Sequence, residues 1–301
     1  MGRYTMIKIV GEGSFGRVWK ALDNQSATSD IVAIKQIKKS CSSWEDCLEL
    51  PEVKTLNQFK NTPNIVRLRN VIKEHDVLYL ITQIIEGQDR PFFRAEIRGW
   101  SRQILQALTQ MHRPGGYFHR DLKPDNLLVT KDGNIKIADF DQAQEIESQS
   151  PCSDYVTMRW YRAPEVLLKS FSYNSAVDMW AMGAIMAELY SFRPLFPGSN
   201  PEDQLYRICS VIGSPTLESW PEGVQLANAC NIKFPRVPVV HAYGLSKMIP
   251  SASCEAIDLI KSLCSWDPKK RPTAMEALQH PFFAPKKQAA ALPRPQIVSA
   301  L

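Results

Sequence analysis

The chain has 301 residues, 44% apolar and 22% charged, an ordinary globular composition with enough length for one large domain or two lobes sharing a cleft. A net charge of +5 with no dominant Lys/Arg block argues against a nucleic-acid partner and leaves room for a phosphorylated ligand. The seven Cys form no CxxC pair and no His stands at metal-ligand spacing, which argues against zinc; their odd number predicts free thiols in a reducing compartment, cytoplasm or nucleus.

In chain order, the N-terminal "MGRYTMIKIV" reads as neither a signal nor a transit peptide. "YTMIKIV", "GRVWKAL", "IVAIKQI", "IVRLRNVI" and "VLYLIT" are short and rich in β-branched residues, and predict strands. One helical stretch, "SWEDCLELPEVKTLNQF", interrupts them, with Leu48, Val53 and Leu56 at helical spacing. Pro51 is wrong for its interior, because proline lacks a backbone donor and clashes one turn back. After about residue 90, "RAEIRGWSRQILQALTQMH", "SAVDMWAMGAIMAELY", "PEDQLYRICSVIG" and "SCEAIDLIKSLCSW" predict helices. The result is an α+β chain, a small β-rich lobe followed by a larger helical one. The tail "PKKQAAALPRPQIVSAL" is Pro- and Ala-rich and expected to be poorly ordered. No uncharged apolar run reaches membrane-spanning length, so no membrane partner is expected.

Four motifs carry chemistry. "GEGSFGRV" at 11–18 has three Gly at the spacing of a phosphate-covering loop, or of a plain hairpin turn. It lies between two strands rather than opening a helix, which argues against a dinucleotide fingerprint. "VAIK" ends at Lys35, either an exposed strand lysine or one turned into a cleft and paired with an anion such as Glu52. In "HRDLKPDN", Asp121 can accept a hydroxyl proton and Lys123 can reach a phosphoryl group. Asn126 there, and Asp139 in the "ADF" that follows, offer oxygen ligands to a hard cation. Any one of these acids could be a solvated loop carboxylate; all four groups in this order argue for a site.

With "RAPE" at 162–165, these motifs stand in the order of the eukaryotic protein kinases, and the chain resembles them over residues 4–283. "SDYVTMRWYRAPEVLL", "RPLFPG" and "SWDPKKRPTAMEALQHPFF" are similar to the branch of cyclin-dependent and MAP kinases, and most like the male germ cell-associated kinase group and its plant homologues. The resemblance implies a two-lobed kinase fold, with lobes at 1–84 and 85–283 and a tail at 284–301. It implies ATP and Mg2+ as cofactors. Gly11, Glu12, Gly13, Ser14 and Gly16 would cover the phosphates, with Lys35 on the α- and β-phosphates and Glu52 as its anchor. Val10, Val18, Ala33 and Leu128 would sandwich the adenine, with Thr82 as gatekeeper and Gln83 and Ile85 offering hinge backbone. Asp121 would be the base, Lys123 would assist the γ-phosphate, and Asn126 and Asp139 would bind magnesium. Ser153 and Tyr155 occupy the place of the activating phosphorylation sites, with Arg120, Arg159 and Arg162 as cationic partners. Arg162 is also implied in the platform for substrates with Ser or Thr before Pro. The implied partners are such protein substrates and an upstream activating kinase.

Departures from the family pattern set the alternative, a catalytically weakened kinase-like scaffold. Asp141 stands where the family has Gly, and is expected to strain the backbone by roughly 1 kcal/mol. Pro51 precedes Glu52 and is expected to loosen its helix, "IIEGQDRPFF" is short for the hinge and the helix after it, and Phe15 replaces an inhibitory Tyr. A small-molecule phosphotransferase is disfavoured by "RAPE" and its surroundings.

Overall fold

A computed structural model describes residues 1–13, 16–27, 30–38, 43–85, 94–148, 158–237 and 244–285. The N-terminal part is built on β1 (Tyr4–Gly13), β2 (Gly16–Asp23), β3 (Ile31–Ile37), β4 (Leu68–Glu74) and β5 (Val77–Gln83), with the short helices α1 (Trp44–Leu48) and α2 (Pro51–Gln58) between β3 and β4. The five strands form one antiparallel sheet in the order β1-β2-β3-β5-β4. Side chains alternate across it. Val32, Ile34 and Ile81 pack with Tyr4 and Ala21 in a small core on one face. Ile37, Leu78 and Leu80 join the main core on the other, with Val53 and Leu56 of α2. Because Ile34 serves the first face, Lys35 next to it turns to the second, where α2 lies.

The single helix expected across residues 43–59 is two. Ser43 caps α1 in a capping box with Asp46. Leu50 is extended, as a residue before proline prefers to be, and Pro51 opens α2 at its first position. There its missing N–H has no helical partner to lose and its fixed φ suits the first turn. The proline therefore starts the helix that carries Glu52 instead of loosening it.

The C-terminal part contains α3 (Arg94–Met111), β6 (Tyr117–Phe118), β7 (Leu127–Val129), β8 (Ile135–Ile137), β9 (Gln144–Glu145), α4 (Pro164–Leu167), α5 (Ala176–Ser191), α6 (Pro201–Ile212), α7 (Pro221–Ala229), α8 (Leu245–Met248), α9 (Cys254–Leu263) and α10 (Ala274–Leu278). β7 pairs with β8, and β6 with β9, as short antiparallel ribbons. The helix α5 is buried almost all round and forms the centre of this lobe. Around it Trp180 stacks on Phe196 at 5.6 Å and Trp220 on Trp266 at 5.8 Å. Deep in the same lobe, Glu165 of the "RAPE" motif receives both arms of Arg271, Nη1 to Oε1 at 2.6 Å and Nη2 to Oε2 at 2.8 Å.

The two parts are joined by backbone. The Val66 N–H donates to Ile137 O at 2.9 Å and the Ile137 N–H to Asn64 O at 2.8 Å, so the segment before β4 pairs with β8. The core around α2 continues without a break into that around α3 and α5. Among the described residues, no helix is long and apolar enough to cross a membrane.

Candidate active site

Lys35 is the hub of the site. Its Nζ donates to Glu52 Oε2 at 2.7 Å, to Asp139 Oδ1 at 2.7 Å and to Asp141 Oδ2 at 3.0 Å. Sheet, helix and the segment after β8 each supply a piece, and the lysine is a cleft residue, not an exposed strand residue. Burial alone would lower the Lys35 pKa, but the carboxylates of Glu52, Asp139 and Asp141 outweigh it and raise it above its ordinary value. Burial likewise works against the charge of Asp139, and the Lys35 ammonium overcomes it and holds that carboxyl below its usual range. Asp141 goes the other way. Its burial and the neighbouring Glu52 carboxylate push it up to about 9.

The loop before β7 supplies the second half. Asp121 is 6% exposed and accepts from Lys123 Nζ at 2.7 Å. The Asn126 amide nitrogen donates to Asp121 O at 2.8 Å, which leaves its Oδ1 as the end that can meet a cation. The Ala138 N–H donates to Asn126 O at 2.9 Å, tying this loop to the segment that carries Asp139. Magnesium prefers hard oxygen ligands, and the Asn126 amide oxygen and the Asp139 carboxylate fit that preference. Glu52, Asp139 and Asp141 also bring carboxylate oxygens within 4.8 Å of one another, but Lys35 Nζ already bonds all three.

The sequence motifs give no sign of what holds this loop. Asp178 of α5 is 1% exposed. Its Oδ2 accepts from His112 Nε2 at 2.9 Å and from the His119 N–H at 2.7 Å, and its Oδ1 accepts from the Arg120 N–H at 2.9 Å. These bonds fix Arg120 at φ 69, a left-handed conformation that disfavours a long side chain, immediately before Asp121. The His119 ring packs on Phe140 at 4.9 Å and its Nε2 lies 3.0 Å from Ala138 O. The available signal was an acid in the first turn of a mostly apolar helix, since a buried charge needs partners.

The remaining expected residues fall as follows. Gly13 pairs with Gly16 and Gly11 with Val18 at the β1–β2 tip, so the Gly-rich loop is a hairpin as well as a candidate phosphate cover. A Cβ on Gly16 would lie 1.8 Å from Gln36 O, so glycine is required there by the sheet itself. Glu12 is paired with Arg17 across the tip at 2.8 Å. Val10, Val18, Ala33 and Leu128 sit on β1, β2, β3 and β7, and Thr82 lies opposite Ala33. The Gln83 N–H donates to Arg67 O at 2.9 Å, which leaves its carbonyl as the group it can offer a base. Ile85 is half-buried just beyond β5. Arg162 follows a 3-10 turn and its N–H donates to Arg159 O at 3.1 Å. The Arg120 guanidinium meets the Tyr173 hydroxyl through Nε at 3.1 Å. Ser14, Phe15, Ser153 and Tyr155, and most of the short hinge, lie outside the described residues.

Asp141 corrects an expectation. Among the described non-glycine residues with positive φ, the segment after β8 contributes Asp139, at φ 66, and not Asp141. The side chain at 141 therefore pays no left-handed penalty. Its effect is through its carboxyl, which reaches Lys35.

The protein kinase domain family matches residues 4–283. The chain belongs to the protein kinase family. It is 53% identical over 291 residues to cyclin-dependent kinase F-4 of Oryza sativa subsp. japonica, covering 94% of this chain and 62% of that one. It is 49% identical over 291 residues to cyclin-dependent kinase F-3 of the same organism, covering 94% and 65%. It is 47% identical over 292 residues to serine/threonine-protein kinase MAK of Mus musculus, covering 94% and 46%. The chain thus spans between about half and two thirds of the length of these relatives. The kinase fold places Lys35, Asp121 and Asp139 where sheet and helical lobe meet.

Proposed function

We propose that this chain transfers the γ-phosphate of ATP to serine or threonine hydroxyls of proteins. The observation that carries the reading is the convergence of Lys35, Glu52 and Asp139 at 2.7 Å beside the Asp121–Lys123 pair, also at 2.7 Å. Phosphoryl transfer needs little covalent help from protein. It needs positive charge at the phosphates and an oriented nucleophile. Lys35 orients the α- and β-phosphates under the cover of the Gly-rich tip. Asp121 accepts the hydroxyl proton, and Lys123 steadies the transferred group. Asn126 and Asp139 hold magnesium, which supplies charge neutralisation at the phosphates when bound. The adenine is proposed to lie between Val10, Val18, Ala33 and Leu128, beside Thr82, Gln83 and Ile85, at the lobe boundary proposed at 84/85.

Incubation with magnesium-ATP and paired peptides differing only in Pro or Ala after the acceptor tests both activity and preference. Incorporation into the Pro peptide, several-fold above the Ala peptide, is expected if Arg162 arranges the platform for a residue without an amide hydrogen. Equal incorporation removes the Pro preference; none into either removes the activity. Ser153 and Tyr155 are the proposed sites of activating phosphate, placed by an upstream kinase or by the chain itself. The described cysteines at 209, 230, 254 and 264 are free thiols, which supports a reducing compartment, cytoplasm or nucleus. One observation favours the weakened scaffold as a second reading: Asp141 takes a hydrogen of Lys35, the lysine proposed to meet the phosphates.

A further inference from the structure

We propose that Asp141 is a positioning residue that competes with nucleotide phosphate for Lys35, and so sets nucleotide affinity rather than the rate of phosphate transfer. This rests on the reading of Lys35 as the phosphate-binding lysine. An ammonium has three hydrogens. Here each has a carboxylate acceptor: Glu52 Oε2 and Asp139 Oδ1 at 2.7 Å, and Asp141 Oδ2 at 3.0 Å. The Lys35 side chain is 14% exposed, so water has little access to the ammonium. A phosphate oxygen that approaches Lys35 must take a hydrogen from one of the three.

The geometry selects which one yields. Asp141 makes the longest of the three contacts. Glu52 is fixed on a helix whose first turn is set by Pro51. Asp139 is held by the left-handed turn at its own backbone and by the bond from Ala138 to Asn126. Asp141 has no left-handed φ to hold it, and besides Lys35 its partner is the Glu52 carboxyl, a like acid that repels it when both are ionised. Its carboxyl therefore acts as an internal stand-in for phosphate, displaced when nucleotide enters. Once it is displaced, the reacting groups are those of any relative, and turnover at saturating nucleotide is unaffected.

Direct binding separates this from a general effect on the cleft. Magnesium-ADP, magnesium-ATP and adenosine are titrated into the parent chain, Asp141→Ala, Asp141→Asn and Lys35→Met, with KM for ATP and kcat measured alongside. Asp141→Ala is expected to tighten ADP and ATP about tenfold, a typical share of one charge-assisted hydrogen bond. Adenosine has no phosphate to compete, and its affinity should not change. KM should fall with ADP and ATP affinity while kcat stays within about twofold. Asp141→Asn keeps an acceptor of the same shape and should lie closer to the parent than Ala does. Lys35→Met should weaken ADP and ATP and again spare adenosine. Tightening of adenosine equal to that of ADP, or ADP affinity unchanged in Asp141→Ala, overturns the competition. Phosphate-dependent binding in the parent keeps the phosphoryl-transfer reading alive in that event. If neither parent nor Asp141→Ala binds nucleotide, both fall together.

Discussion

Asp139→Asn is expected to lower kcat by about 10²–10³-fold, the loss typical when one group that stabilises transition-state charge is removed. Asparagine is the informative substitution because Asp139 sits at φ 66, which asparagine tolerates and alanine does not. The new Oδ1 still accepts from Lys35, so the contact at 2.7 Å survives in neutral form. What disappears is the negative charge proposed to hold magnesium. Raising magnesium should recover part of the rate if the defect is metal affinity. Thermal melting should stay within a few degrees of the parent. A variant as active as the parent would sink the magnesium assignment of Asp139. A variant that melts far lower would show that the carboxylate is structural.

Asp178→Ala should be the most destabilising single change in the site. Removing the carboxylate leaves the backbone N–H groups of His119 and Arg120 and the ring of His112 without their acceptor in a buried position. Each buried donor left without its acceptor costs about 1–3 kcal/mol, so the loss of this one carboxylate should cost about 3–5 kcal/mol. In a chain of this size that is on the order of 10 °C in melting temperature. Activity should fall as well, because Arg120 loses the bond that maintains its left-handed turn next to Asp121. Asp178→Asn keeps one oxygen and should lie between. The sign of the pH dependence follows from the charge state. Burial opposes ionisation of Asp178, but the bonds from His112 and His119 hold its carboxyl below its ordinary value. Its contribution is therefore present above the unfolded carboxylate value of about 3.9 and is lost as pH falls from there toward the folded value. The gap between parent and Asp178→Asn should narrow over that acid range. Melting within two degrees of the parent at neutral pH would remove Asp178 as the support of the loop.

Much of this was legible in the sequence because it is local. Five strands declare themselves by β-branched runs, and α3, α5, α6 and α9 by length and periodicity. Lys35, Asp121, Asn126 and Asp139 stand in motifs short enough to read as units. The helices α4, α8 and α10 have only four or five residues, too few for a period to show. Pro51 was visible as a break, but not that the chain uses it as a start, since that depends on Leu50 being extended beforehand. Asp178 reaches partners 59 and 66 residues away, and no local pattern announces contacts of that range. Asp141 was read as a backbone problem because its neighbourhood was known only along the chain. In space its nearest consequence is Lys35, 106 residues earlier.

The pair Glu165–Arg271 has a consequence for the order in which the chain can fold. Its members are 106 residues apart, and both are buried. During synthesis Glu165 emerges long before the arginine that neutralises it. Until then its carboxylate cannot enter the core without leaving a bare charge there, so α4 stays hydrated on the nascent chain. Closing so long a loop is slow, and the gain comes only once it is closed. The helical lobe therefore completes itself late and all at once, when the segment after α9 docks. A chain terminated anywhere before residue 271 would carry every group proposed for phosphate transfer and still lack the ion that lets the lobe beneath them close.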